Sequence, residues 1–127
     1  MSKTKKNPKT KFYFLCPIFG ASVCLTLGEI EKEKPLKIFG AGYTPNEDSL
    51  AETTVIRNES GADVGHHVWV KDKTDYHSMV HETLHLVSNI LNKKQIPFNS
   101  DNQELIAYYQ NYWVRKFWNK MCKFIKD

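Results

Sequence analysis

Little in this chain settles its class at a glance. Among 127 residues there are only three cysteines, Cys16, Cys24 and Cys122, and no two stand at the close spacing of metal ligands. They offer no zinc knuckle, and Cys16 and Cys24 would face each other only if the register of a hairpin between them allowed it, so free, buried thiols in a reducing compartment are the expectation. Charge of one sign is also scarce where it would count. The net charge of +4 comes mainly from the two ends, Lys3, Lys5, Lys6, Lys9 and Lys11 at the front and Arg115, Lys116, Lys120, Lys123 and Lys126 at the back. The middle has no basic field, and no specific nucleic-acid partner is expected. Gly40 and Gly42, in Ile38-Phe39-Gly40-Ala41-Gly42-Tyr43, lack the lysine and following Ser or Thr of a phosphate loop. No nucleotide site is expected there; the segment reads as a turn, with a backbone stretch passing close to a functional site as the alternative.

Long apolar runs are missing too. The longest uncharged stretch, Phe12 to Gly28, is about seventeen residues and is broken by Pro17 and Gly20. After a basic start it has the outline of a signal peptide or short anchor, but no small-x-small cleavage site follows. The preferred reading is two strands, Phe12–Ile18 and Ala21–Leu27, turning at Phe19-Gly20. The expected location is the cytoplasm of a bacterial host or a virion, with secretion or membrane anchoring as the alternative.

What is present points to one small domain. Residues 1–11 read as a basic, disordered tail and 12–127 as a single domain, too small for a two-lobed protease. Seven Phe, six Tyr and three Trp give it a large burial area per residue. A charged connector follows from Glu29 to Lys37, then a loop-rich region with a β-branched strand at Thr53–Arg57. A second strand, His67–Lys71, alternates His67, Trp69 and Lys71 with Val68 and Val70.

Then comes the stretch that carries chemistry. Tyr76 to Leu91 contains neither Gly nor Pro and returns apolar residues at helical intervals, with Thr74 or Asp75 in place to cap it. On that helix His81 and His85 stand one turn apart on one face and can offer two imidazole nitrogens to one metal ion. Glu82 points about a hundred degrees away, placed to reach a metal-held water rather than to ligate. Catalytic zinc usually takes three protein ligands, and the chain has a third on its next helix. Ser100 and Gln103 have capping-box spacing, and Glu104 follows, nineteen residues beyond His85. A short helix hairpin is expected to bring those turns face to face.

With His81-Glu82-x-x-His85 and Glu104 in Asn102-Gln103-Glu104-Leu105-Ile106-Ala107-Tyr108, the chain resembles the zincin metallopeptidases that use glutamate as third ligand, and most of all the small ones of bacteriophages and prophages. The resemblance implies an α+β fold, a small antiparallel or mixed sheet packed on a two-helix core. It implies zinc held by His81, His85 and Glu104, with Glu82 as general base in peptide hydrolysis. The third histidine and the Met-turn of the long metzincin motif are absent, as is a thermolysin-like second domain.

Zincins place an edge strand just before the active-site helix, so by resemblance His67 and Trp69 belong to a substrate-binding strand. His66 and His67 read first as surface or loop histidines, and either is a candidate for an oxyanion contact if it faces the metal. His77, one turn before His81, is a candidate for transition-state stabilisation, because three imidazoles in consecutive turns cannot all converge on one ion. Tyr108, one turn after Glu104, is a candidate to steady the tetrahedral intermediate or the Glu104 carboxylate, and Asn111 continues that stripe. The expected partner is a peptide or protein substrate. The alternative is a phage structural or assembly protein whose zinc is only a fold staple, and the aromatic second helix makes a homodimer conceivable.

Overall fold

A computed structural model of the chain describes residues 10–31 and 33–125. The expected tail lies outside the described residues up to position 9, and Thr10 and Lys11 already belong to the first strand. Six strands precede two helices: β1 (Thr10–Leu15), β2 (Ser22–Leu27), β3 (Leu36–Ile38), β4 (Ala41–Tyr43), β5 (Ala51–Arg57), β6 (Asp63–Val70), α1 (Tyr76–Lys93) and α2 (Gln103–Met121). The fold is α+β. A mixed sheet in the order β1-β2-β6-β5 carries the helices, and β3 with β4 forms a separate two-stranded sheet.

The uncharged stretch near the start is a β-hairpin. β1 and β2 pair antiparallel, with Phe12 opposite Leu25 and Tyr13 opposite Cys24. Gly20 sits at φ 69 in the turn, a left-handed conformation that glycine adopts without steric cost. Cys16 and Cys24 are both buried and free, but they belong to separate cores, one on each side of the sheet. Among the described residues no helix is long and apolar enough to cross a membrane.

Strand parity sorts the sheet into two faces. Val23, Leu25 and Leu27 of β2 lie beside His66, Val68 and Val70 of β6, and this face meets the helices. Along α1, Met79, Thr83, Leu86, Val87, Ile90 and Leu91 are buried at helical spacing. Along α2, Tyr109, Trp113, Phe117 and Met121 are buried one turn apart, and Phe14 meets Trp113 and Phe117 with ring centroids 6.0 and 5.7 Å away. The opposite face, with Cys24, Ile56 and Trp69, is covered by Leu36, Ile38 and Tyr43 of the β3–β4 hairpin. Of the expected turn at Ile38–Tyr43, only Phe39-Gly40 is the tip of this hairpin; Ala41–Tyr43 is strand β4, on the far side of the sheet from α1. At the tip Phe39 takes φ 52 and Gly40 φ 83.

Strand β6 is internal, paired parallel with β2 and antiparallel with β5. That corrects the expectation of an edge strand just before α1: both sides of β6 are already hydrogen-bonded, and the edge on this side of the sheet is β5.

The two helices run antiparallel. Tyr76, at the start of α1, meets Trp118, near the end of α2, at 5.1 Å, and Lys73 lies 4.5 Å over the Phe124 ring. Asp75 caps α1, its Oδ1 accepting from the Ser78 amide at 3.1 Å. The capping box expected at Ser100 and Gln103 is replaced. Asn99 caps a short 3-10 turn, Ser100–Asn102, and α2 begins only at Gln103, which puts Glu104 in its first turn.

Candidate functional site on helix α1

His81 and His85 form the pair their spacing implies. Their rings lie 4.9 Å apart on the exposed face of α1. Glu82 lies at the flank of the helix, where the face turns toward β5. The Thr53 hydroxyl donates to Glu82 Oε1 at 2.5 Å, with the Glu82 backbone oxygen 3.0 Å away as a second acceptor for the same proton. His77 and His81 join Glu82, Ser78, the Ser49-Leu50 lead-in to β5 and its first residue, Ala51, around an open depression.

The edge beside this depression has an orientation that can be read from its register. The Lys71 amide donates to the Leu50 carbonyl at 2.9 Å, so Leu50 faces β6. By antiparallel alternation Glu52 and Thr54 also direct their backbone groups at β6, and Ala51, Thr53 and Val55 direct theirs outward. Among the described residues no strand pairs with that outer side.

Glu104 is not brought to the pair. α1 runs to Lys93, two turns beyond His85, before the chain reverses. With Tyr76 level with Trp118, the histidines lie level with the middle of α2, and Glu104 is offset along the axis by on the order of 10 Å. It is exposed. Among the described residues no three His, Cys, Asp or Glu side chains cluster as a metal ion would require. The donor set therefore fits a zinc ion in part: two imidazoles stand ready, and the three-ligand set with Glu104 does not form. Tyr108 is 75% exposed on α2, and Asn111 is exposed one turn on.

The two β6 residues expected in a substrate strand are interior. His67 is fully buried, its Nε2 sharing a hydrogen bond with Thr26 Oγ1 at 2.8 Å and its ring 4.5 Å from that of Tyr43. Trp69 is 2% exposed and donates from Nε1 to the Gly28 carbonyl at 2.7 Å. His66 is 5% exposed on the helix-facing side. Burial lowers the pKa of both imidazoles, to about 4 for His66, helped by the positive charge of Lys93, and to about 3 for His67, helped by that of Lys11. Each leaves Nδ1 without a hydrogen-bond partner among the described residues.

On the opposite face the Tyr43 hydroxyl donates to Glu52 at 2.5 Å, and desolvation with that carboxylate pushes the phenol pKa up. The residues that motif reading missed are Thr53 and the Ser49–Ala51 segment. The signal available was parity, which puts Thr53 on the α1 side once β5 is known to pair with β6. Comparison of the chain with protein-family models, with curated proteins and with solved structures finds no match.

Proposed function

We propose that the chain is a zinc-dependent hydrolase of peptide bonds whose substrate is an extended peptide or unfolded protein segment laid along β5. The observation that supports this reading is the surroundings of Glu82. Its carboxylate shares one depression with His77, His81 and the start of an edge strand whose outer backbone groups have no strand partner.

The outward N–H and C=O groups of Ala51, Thr53 and Val55 bind the substrate backbone as an added strand, which requires no deep cleft. Glu82 removes the proton from the attacking water and returns it to the leaving amine. His77, which lines the same depression, would donate to the developing oxyanion. Zinc would be held by His81 and His85, where it supplies Lewis acidity and a more acidic water. Glu104 has no part in that pair as the helices are arranged.

One observation favours a second reading. With Glu104 out of reach, a metal on His81 and His85 is open to solvent or to a partner's donor, as in an assembly protein that carries metal without hydrolysis.

Elemental analysis after zinc add-back, combined with cleavage of a peptide library, separates the two. The hydrolase reading expects about one zinc per chain, lost in His81→Ala/His85→Ala and kept in Glu82→Gln and Glu104→Gln. Cleavage then falls by about 100-fold or more in Glu82→Gln. Zinc binding with no cleavage that Glu82→Gln abolishes would favour the assembly reading. A cooperatively folded wild type that takes up no zinc would end both.

A further inference from the structure

We infer that Thr53 is a positioning residue for Glu82, so that the residue meeting the substrate backbone is also the one that orients the base. The inference rests on the hydrolase reading for its consequence and on local geometry for its mechanism.

Parity divides Thr53 into two functions. Its side chain faces α1, because its register partner Val68 belongs to the helix-facing core. Its backbone N–H and C=O face outward, because Leu50, three residues earlier, faces β6. Ala51 and Val55 share that outward backbone, but neither carries a group that reaches Glu82. Within β5 only Thr53 joins the open edge to the carboxylate.

The hydroxyl has one proton and two acceptors on the same residue. The carboxyl oxygen at 2.5 Å is closer than the backbone oxygen at 3.0 Å, so the side chain is the preferred acceptor of the two. The bond engages Oε1, so Oε2 is the oxygen that would take the proton of a water. A glutamate on a helix flank otherwise samples several rotamers, and a base that must meet a water in one geometry loses rate for every rotamer that points elsewhere. β-Branching adds to the effect, because Thr53 has a restricted χ1 and holds its hydroxyl in place. A peptide strand added at Ala51, Thr53 and Val55 would then order the same backbone unit that carries the hydroxyl.

Three substitutions test this. Thr53→Val removes the hydroxyl at nearly constant shape, Thr53→Ser keeps it, and Thr53→Ala repeats the loss should the valine variant melt below the assay temperature. The first readout is the Glu82 side chain itself, by carboxyl 13C shift and side-chain couplings. Thr53→Val is expected to average the rotamers and Thr53→Ser to preserve one. The second is peptide cleavage, with kcat falling about 10- to 100-fold in Thr53→Val, KM within about twofold because the edge backbone is intact, and activity restored in Thr53→Ser.

A single Glu82 rotamer retained in Thr53→Val overturns the inference, as does a serine variant no better than valine. If wild type cleaves nothing, the hydrolase reading has failed, and the Glu82 couplings alone still decide whether Thr53 holds the carboxylate.

Discussion

Lowering the pH from 7 to 5 should remove about 4 kcal/mol of stability, through two histidines that have no place at the depression on α1. His66 and His67 are 5% and 0% exposed, with folded pKa values of about 4 and about 3 against an ordinary 6.5. Both folded values lie below the unfolded one, so unfolding takes up protons. The stabilisation is fully present above 6.5 and is lost as pH falls from there through the folded values. At pH 5 the unfolded chain holds nearly two more protons at these positions than the native one. Between pH 7 and 5 each histidine forfeits roughly 2 kcal/mol. For a domain of this length that corresponds to a Tm lower by on the order of 15 °C. Asp63, held below its usual 3.8 chiefly by a hydrogen bond from Lys93, acts in the same direction but only at lower pH. The assay is urea denaturation at pH 7, 6 and 5 on wild type, His66→Gln, His67→Gln and the double variant. Each single change should halve the slope with pH, and the double variant should be nearly flat in this window. A double variant as steep as wild type would refute the reasoning.

Two further expectations concern the frame. A Cβ at residue 65 would lie 2.4 Å from Phe39 Cε2, so Gly65→Ala must displace that ring and should cost about 1–3 kcal/mol. Most of the cost should vanish in a Phe39→Ala background; equal costs in both backgrounds, by urea denaturation, would show that the ring is not the obstacle. Asp75→Ala removes the cap of α1 and should cost about 1 kcal/mol, read as a lower Tm and a lower urea midpoint. A shift of 0.2 kcal/mol or less would mean that solvent replaces the cap at no loss.

The helices and the first hairpin were legible because their signals are local. Buried residues recur through α1 at the expected spacing, Gly20 marks the hairpin turn, and Asp75 stands where a cap belongs. The position of β6 was not legible, since it depends on parallel pairing with β2, which no turn signal records. The run from Gly65 to Val70, buried at every residue, fits a strand covered on both faces, yet alternation of His67 and Trp69 with Val68 and Val70 resembled a half-exposed one. The reach of Glu104 failed for a different reason. Helical phase fixes which face a residue occupies, whereas axial level depends on where the first helix stops. Here the reversal passes through Gln95 at φ 59, a left-handed residue that is not glycine, so the end of α1 carries no sequence mark. The His81–His85 pairing needed only phase, and the structure retains it.

The parallel pairing of β2 with β6 also has a consequence for how the chain assembles. Val23 meets His66 only after a loop of about forty residues has closed, an entropic cost that precedes any gain from the central sheet. The β1–β2 hairpin closes a short loop, but until β6 arrives its inner edge has no neighbour, and until α2 arrives Phe12 and Phe14 have no helix to cover them. During synthesis the early strands therefore wait, apolar and unpaired on one side, for residues made much later. Folding should be slow for so small a domain, and interruption before β6 should leave an aggregation-prone hairpin rather than a stable half-protein.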